Sequence, residues 1–317
     1  MALGFTRPRT LPPIPVASKF REVRQLEDNI MTKPLKDVTT QHRQARLSIA
    51  HAREPAERLP PVEAVEILTT SVAVVEEQSF LLRVDEWLAR RTANTAGVYV
   101  VFRDVHGVVR ALDEPALADA HRGAFMNVPD GAPLVWVCRF RGRRAGRVTG
   151  TDTLEAVCRA GLAKGWRHAF YGATPEVLRS LVAALEASYP GIEIADAVSP
   201  PFRPLTDVEM EEQIRRLAVA KPDIIWVGLG CPKQEIWMAR YARHIPGAIS
   251  MGVGAAFDFR AGAIKRAPPF IRQFGLEFLY RISQEPGRLA GRYFRVIPRF
   301  MLGIFRQEAR RLFRSQG

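Results

Sequence analysis

Acidic residues, cysteines and long apolar runs are the scarce features of this 317-residue chain. Asp and Glu number 33 against 46 Lys and Arg, a formal charge of +13. A shortage of acid on that scale points to an anionic partner: nucleic acid, an anionic membrane or phosphorylated small molecules. It is silent on fold. Cys138, Cys158 and Cys231 are the only cysteines. They form no CxxC pair and no metal-ligand spacing, so a reducing compartment is expected, with no metal and no other cofactor. No stretch approaches the roughly 18–20 apolar residues that span a bilayer. The opening MALGFTRPRTLPPIPVASKF has no apolar signal core. The expected location is the cytoplasm or the cytoplasmic face of a membrane. Neither GxGxxG nor GxxxxGKS/T occurs, which disfavours a nicotinamide dinucleotide or P-loop nucleotide site.

What is present is an ordered alternation. Residues 1–64 hold eight prolines and scattered charge and are predicted to be a disordered N-terminal extension. From about residue 71, SVAVVEE, GVYVVF, AFMNV, PLVWVC, RHAFYG, IEIADAV, DIIWVGLG and AISMGVG read as strands. FLLRVDEWLARR, DEPALADAHRG, TLEAVCRAGLAKG, TPEVLRSLVAALEASYP, TDVEMEEQIRRLAVAKP and PKQEIWMARYARHI read as helices. Caps are expected at Asp113, at Thr151 and Asp152, at Thr174 and at Thr206, with Pro232 in a first turn. The pattern predicts an α/β fold, doubly wound on a mostly parallel sheet with Rossmann-like halves, over residues 65–262. A basic helical C-terminal appendage follows over residues 263–317.

Several junctions carry chemistry. In GLGCPKQE, Gly228 and Gly230 would let a ligand approach the backbone, and Lys233, Gln234 and Glu235 open a helix whose free N–H groups suit phosphate. The same residues also fit a tight strand-to-helix turn with a polar first turn. In NVPDGAP, Asp130 is either a turn residue or a general base exposed at a strand end. In FRGRRAGRVTGTD, Arg147 with Gly150 suits a diphosphate, while Arg141, Arg143 and Arg144 read as a basic surface loop. VFRDVHGVV ends a strand with Arg103, Asp104 and His106; an isolated histidine is most often packing or a cap. MGVGAAFDFRAGAIKRAPPF supplies Gly254, Asp258 and a basic turn, with Phe257 and Phe259 either flanking a base ring or lying in the core.

Taken together, VPDG, GRVTGTD, FYGATPEVL, VGLGCPKQE, GVGAAFDFRAG and RAPPFIRQFGLEFLYRISQEPGRLAGRY resemble the WecG/TagA/CpsF family of bacterial glycosyltransferases from about residue 70 onward. The resemblance implies transfer of N-acetylmannosamine or a related hexose from a UDP-sugar to a polyprenyl-diphosphate-linked sugar, with inversion and no required metal. The products would be teichoic-acid linkages or cell-surface polysaccharides. It puts the base on Asp130, the diphosphate-side arginine on Arg147 and the motif glutamine on Gln234. Gly228, Gly230, Lys233, Glu235, Gly254, Asp258 and His106 join the substrate-binding set, and Arg266 and Arg281 would close over the site. The family often has a threonine where this chain has Phe102 or Arg103, and neither offers a hydroxyl.

Residues 263–317 carry twelve Lys or Arg against three Glu. On a helix over 288–313, Arg288, Arg292, Arg295, Arg299, Arg306 and Arg310 share one arc, and Leu289, Tyr293, Val296, Ile297, Phe300, Met301 and Ile304 share another, with Pro298 expected to kink or divide the helix. This predicts an interfacial helix on anionic lipid, peripheral on the inner face of the membrane; packing on the main domain or a partner subunit is the competing expectation. Formation of a homo-oligomer is left open. The alternative functional class is a nucleic-acid-binding α/β protein using this basic helix, which no recognised nucleic-acid motif accompanies.

Overall fold

The computed structural model describes residues 59–273, 277–284 and 286–314; most of the predicted N-terminal extension lies outside the described residues. The described chain opens with an antiparallel hairpin of β1 (Ala64–Ile67) and β2 (Thr70–Ala73). Leu68 makes the turn at a φ of 56°. Val65 and Ile67 point inward and Glu66 outward, the period-two alternation of a half-buried strand. Leu59 and Val62 pack on the core, so the packed chain begins inside the expected 1–64 extension, and β1 was not expected at all.

The main domain follows in order: α1 (Glu77–Arg90), β3 (Val98–Arg103), α2 (Val105–Arg110), α3 (Pro115–Arg122), β4 (Met126–Pro129), α4 (Ala132–Phe140), α5 (Gly150–Leu162), β5 (Arg167–Gly172), α6 (Pro175–Ser188), β6 (Glu193–Val198), α7 (Asp207–Ala220), β7 (Ile224–Gly228), α8 (Lys233–Tyr241), a 3₁₀ turn (Ala242–His244), β8 (Ile249–Gly252) and α9 (Ala256–Arg260). Strands β3 to β8 form one six-stranded sheet in the order β4-β3-β8-β7-β5-β6, with every pairing parallel. The doubly wound expectation is met.

Both sheet faces are covered, which is why the strands read as continuous apolar runs. Along β7, Ile224 and Trp226 face one cluster with Phe80, Leu154, Phe170, Leu181 and Phe257. Ile225 and Val227 face the other, with Tyr171, Ile214, Leu217, Trp237 and Met238. Helices α1, α5, α6 and α9 therefore cover one face, and α7 and α8 the other. Helix α3 packs on α8 and α9 on α5 and α6, so the chain leaves β3 and its neighbour β8 towards opposite faces. That reversal places the ligand crevice of an open α/β sheet between the carboxyl ends of β3 and β8.

One short apolar run was misread as strand, and one helix was not foreseen. PLVWVC lies in α4, with Pro133 in the first turn and Leu134, Val135 and Cys138 buried at helical spacing. HGVV, given no element in the sequence reading, lies in α2, capped by Asp104, whose Oδ1 accepts from the Gly107 amide at 2.8 Å. Runs of four to six apolar residues do not separate the two periodicities. Two caps also differ. Thr149, rather than Thr151 or Asp152, caps α5 by accepting from the Asp152 amide at 3.1 Å. Asp113 caps nothing: it forks onto Arg299, and Glu114 occupies the cap position before Pro115. Thr174 and Thr206 cap α6 and α7 as expected.

The C-terminal segment forms α10 (Pro269–Gln273), α11 (Glu277–Gln284) and α12 (Pro286–Arg314), the last running helical through Pro298. The single apolar face expected for α12 is in fact split. Phe300 is buried, and Val296 and Ile304 half-buried, against the hairpin, α2 and α4. Gly303 lets Leu68 approach so closely that a Cβ would lie 2.8 Å from Leu68 Cδ2. Phe294, Ile297, Met301 and Phe305 remain exposed. Arg141, read as a free surface residue, is largely covered: it pairs with Glu308 of α12 and donates to the Glu66 carbonyl. No helix among the described residues is long and apolar enough to cross a membrane.

Candidate active site

Parallel strands deliver their carboxyl ends to a single rim. The segments after β3, β4, β7 and β8 carry Asp104, Asp130, Gly230 and Gly254 to it. The backbone amides of Asp130 and Gly131 both donate to the Arg103 carbonyl, at 2.8 and 3.0 Å. This anchors the start of the turn on the end of β3. Gly131 makes this approach close: a Cβ there would lie 3.1 Å from the Asp104 Cα.

Burial pushes the Asp130 carboxyl up to about 7; Asp104 adds to the shift, Arg147 opposes it, and Glu277 and Asp152 add again. No described side chain donates a hydrogen bond to it. A carboxylate that takes up a proton near neutral pH is suited to general-base chemistry.

The GRVTG segment runs beside this turn, since the Val148 amide donates to the Pro129 carbonyl at 2.9 Å. Arg147 reaches the appendage, donating to the Arg272 carbonyl at 3.1 Å and pairing with Glu277 at 3.2 Å. Arg266 forks onto Asp152 at 2.7 and 2.9 Å and lies 3.4 Å from Glu277; Arg272 lies 3.4 Å from Asp152. Burial would raise the Asp152 carboxyl, but the hydrogen bonds from Arg266 and Thr149 hold it below the usual range. Three arginines and two carboxylates thus form one cluster that meets Asp130 through Arg147, Glu277 and Asp152, and three of the five (Arg266, Arg272 and Glu277) come from the C-terminal segment.

Gln234, in the first turn of α8, is buried. Its Nε2 donates to the Gly252 carbonyl and to Glu235 Oε1, each at 3.0 Å, and its Oε1 accepts from the Gly230 amide at 3.2 Å. Glu235 pairs with the Arg103 guanidinium, both fully enclosed. Arg103 therefore touches both halves of the site, holding Asp130 with its carbonyl and Glu235 with its side chain. A second link runs through α5: a Cβ on Gly150 would lie 3.1 Å from the Val253 Cα, one residue before Gly254.

Among the predicted residues, Asp130, Arg147, Gln234, Glu235, Gly230, Gly254 and Arg266 belong to these connected clusters. Others do not. Gly228 is small because of Phe257, whose ring would sit 2.5 Å from a Cβ there. Phe257 is core, edge-on to Phe170 at 5.8 Å. Lys233 is exposed and sits 5.5 Å over the Phe202 ring. Asp258 lies in α9, its carbonyl closing the turn through the Ala263 and Ile264 amides. His106 lies on α2, partly buried. Arg281 lies on α11, and its side chain is outside the described residues.

Sequence reasoning gave no part to His121, Arg272 and Glu277, and noted Arg103 only at a strand end and Asp152 only as a cap. For Arg103 the signal was present: an arginine closing the apolar run VYVVFR must be buried with a partner. For Arg272 and Glu277 no local signal exists, because their role comes from chain reversal.

A model of the glycosyl transferase WecG/TagA/CpsF family matches residues 65–314. The chain is similar to N-acetylglucosaminyldiphosphoundecaprenol N-acetyl-beta-D-mannosaminyltransferases from several bacteria. With that of Bacillus spizizenii it shares 29% identity over 213 residues, 67% of this chain and 80% of the relative. With that of Bacillus subtilis it shares 31% over 182 residues, 57% and 68%. With that of Staphylococcus aureus strain MW2 it shares 30% over 212 residues, 67% and 81%. On the match across nearly all of its described length, this chain belongs to the WecG/TagA/CpsF family of glycosyl transferases.

Proposed function

We propose that the protein transfers N-acetylmannosamine or a related hexose from a UDP-sugar to a polyprenyl-diphosphate-linked sugar, with inversion and without a metal. The family and the printed activity of its relatives support the sugar and the lipid-linked acceptor. The observation that carries the reading is Asp130, a carboxyl titrating near 7 beside Arg147 and close to the Arg266 and Arg272 cluster.

The acceptor hydroxyl is a poor nucleophile until a base takes its proton. Asp130 accepts that proton as the acceptor oxygen attacks the anomeric carbon. The bond from that carbon to the UDP oxygen breaks on the opposite face, and the bonding pair leaves with UDP. One displacement inverts the centre. The charge growing on the diphosphate is met by Arg147, Arg266 and Arg272. These arginines now pair with Asp152 and Glu277, so the donor exchanges one set of anionic partners for another. The basic appendage would hold the enzyme at the inner membrane face, where a polyprenyl acceptor resides. The exposed stripe of Phe294, Ile297, Met301 and Phe305 supports contact with lipid. No observation favours the nucleic-acid alternative.

The test is Asp130→Asn, assayed on a polyprenyl-diphosphate acceptor with UDP binding measured alongside. Retained UDP affinity with transfer abolished is expected; undiminished transfer removes Asp130 as the base.

A further inference from the structure

The orientation of the Gln234 amide is fixed by main chain. Gly252 offers a carbonyl at 3.0 Å, which can only accept, and Gly230 offers an N–H at 3.2 Å, which can only donate. Nitrogen and oxygen therefore cannot be exchanged. Glu235 takes the second N–H at 3.0 Å, so both donors are spent inside the protein. One lone pair of Oε1 has no partner among the described residues. The space beside it is lined by glycines: a Cβ on Gly254 would lie 3.6 Å from Oε1, and one on Gly230 would meet nothing within 4 Å.

Glu235 is held in turn by Arg103. Both side chains are enclosed, at 0% and 2% exposure. Glu235 Oε1 receives the Arg103 guanidinium and the Gln234 amide together. Arg103 is held from behind. Its Nη1 donates to His121 Nε2 at 2.8 Å, which puts the ring proton on Nδ1, 3.0 Å from the Thr70 hydroxyl in the hairpin. Burial, then the Arg103 charge, pushes His121 down to about 3, keeping the ring neutral.

We propose that Arg103 is a positioning residue. Through Glu235 it locks the Gln234 amide so that the site presents the donor sugar with a hydrogen-bond acceptor, for a sugar hydroxyl or acetamido N–H, and presents no amide donor to the diphosphate. This rests on the UDP-sugar reading above and assigns the glutamine to the sugar. It also gives a use to the arginine that stands near the family's usual threonine.

The test is calorimetric titration of the full chain with UDP and with UDP-N-acetylmannosamine. The readout is the ratio of the two affinities, which isolates what the sugar adds. Gln234→Met is expected to leave UDP affinity unchanged and to weaken the UDP-sugar by roughly three- to tenfold, the worth of one hydrogen bond. Equal weakening of both ligands would assign the amide to the diphosphate and overturn the proposal. The double variant Arg103→Met/Glu235→Leu replaces the pair by apolar groups and is expected to fold, as checked by its thermal transition, and to lose the same sugar increment. A folded double variant with the wild-type ratio would make the pair structural only. Should it not fold, Glu235→Gln takes its place: the neutral amide weakens the hold on Gln234, so a partial loss is expected and an unchanged ratio overturns the role. A wild-type protein that binds no UDP-sugar would overturn the donor reading itself, an outcome distinct from both.

Discussion

Arg147, on the segment entering α5, and Glu277, at the start of α11, form an ion pair with N–O 3.2 Å across 130 residues of sequence. The carboxylate also lies 3.4 Å from Arg266. It therefore occupies charge that a diphosphate would use, and its presence also helps to raise Asp130.

Neutralising that carboxylate should strengthen nucleotide binding. Glu277→Gln is expected to tighten UDP several-fold and to move the midpoint of the pH–rate profile downward, because one of the charges raising Asp130 is gone. Calorimetry and a pH series of kcat/KM measure the two effects. Weaker UDP binding would mean that Glu277 helps to build the anion site.

Asp130 should lower stability at the pH where it works. Its carboxyl titrates near 7 in the fold against an ordinary 3.8. Between those values the folded chain holds a proton that the unfolded chain has released. Stability from this group therefore falls as pH rises from about 4 to 7, and the loss is complete above 7. Three units correspond to at most about 4 kcal/mol. Asp130→Asn should melt at a higher temperature than wild type at pH 8, with the gap closing towards pH 4. A gap independent of pH would deny the shift.

Arg147→Lys keeps the charge and loses the planar fork. Loss of UDP affinity by roughly tenfold is expected, one bidentate contact being worth about 1.5 kcal/mol more than a point charge. Because the side chain is partly exposed at the rim, the thermal transition should move little. Unchanged UDP affinity would remove Arg147 from the diphosphate site.

Arg103→Met alone leaves Glu235 enclosed with only the Gln234 amide for company, its Oε2 already lacking a partner among the described residues. A destabilisation of about 3–5 kcal/mol is expected, and Arg103→Met/Glu235→Leu should recover most of it. Denaturant titration of the three proteins reads this directly.

The two sides of α12 should respond differently. Phe294→Ser/Met301→Ser/Phe305→Ser changes residues 62–83% exposed and should lower sedimentation with anionic vesicles while leaving the melting temperature near wild type. Phe300→Ala empties a buried position beneath the hairpin and should cost about 3–5 kcal/mol of stability. Unaltered vesicle binding by the triple variant would assign the exposed stripe to another contact.

Elements whose periodicity runs for several turns or a full buried strand were legible: β3, β5, β7, α6 and α7 fall where the apolar pattern puts them. The strand that failed was short. PLVWVC contains too few residues to show whether it repeats every two or every 3.6, and a parallel strand such as β4 must be followed by a crossover that turns this run into helix; VHGVV, equally short, was given no element. The site divides in the same way. Asp130 and Gln234 stand at strand ends marked by Pro-Asp-Gly and by a glycine-bounded helix start. Phe257 stayed open between core and ring-flanking until packing put it in the core, because a glycine that admits an aromatic ring, as Gly228 does, and one that admits a ligand look identical in sequence.

The sequence by itself determined the alternation of strands and helices, the cluster of positive charge at the C-terminus and the loops that carry the acid, the arginine and the amide, since each depends on residues within a few positions of one another. Only the tertiary structure decided what those groups meet. Arg103 finds Glu235, Arg147 finds Glu277 and Phe300 finds the hairpin across more than a hundred residues, because parallel strand order and chain reversal, not local preference, set which distant side chains share a buried volume where unpaired charge is too costly to leave.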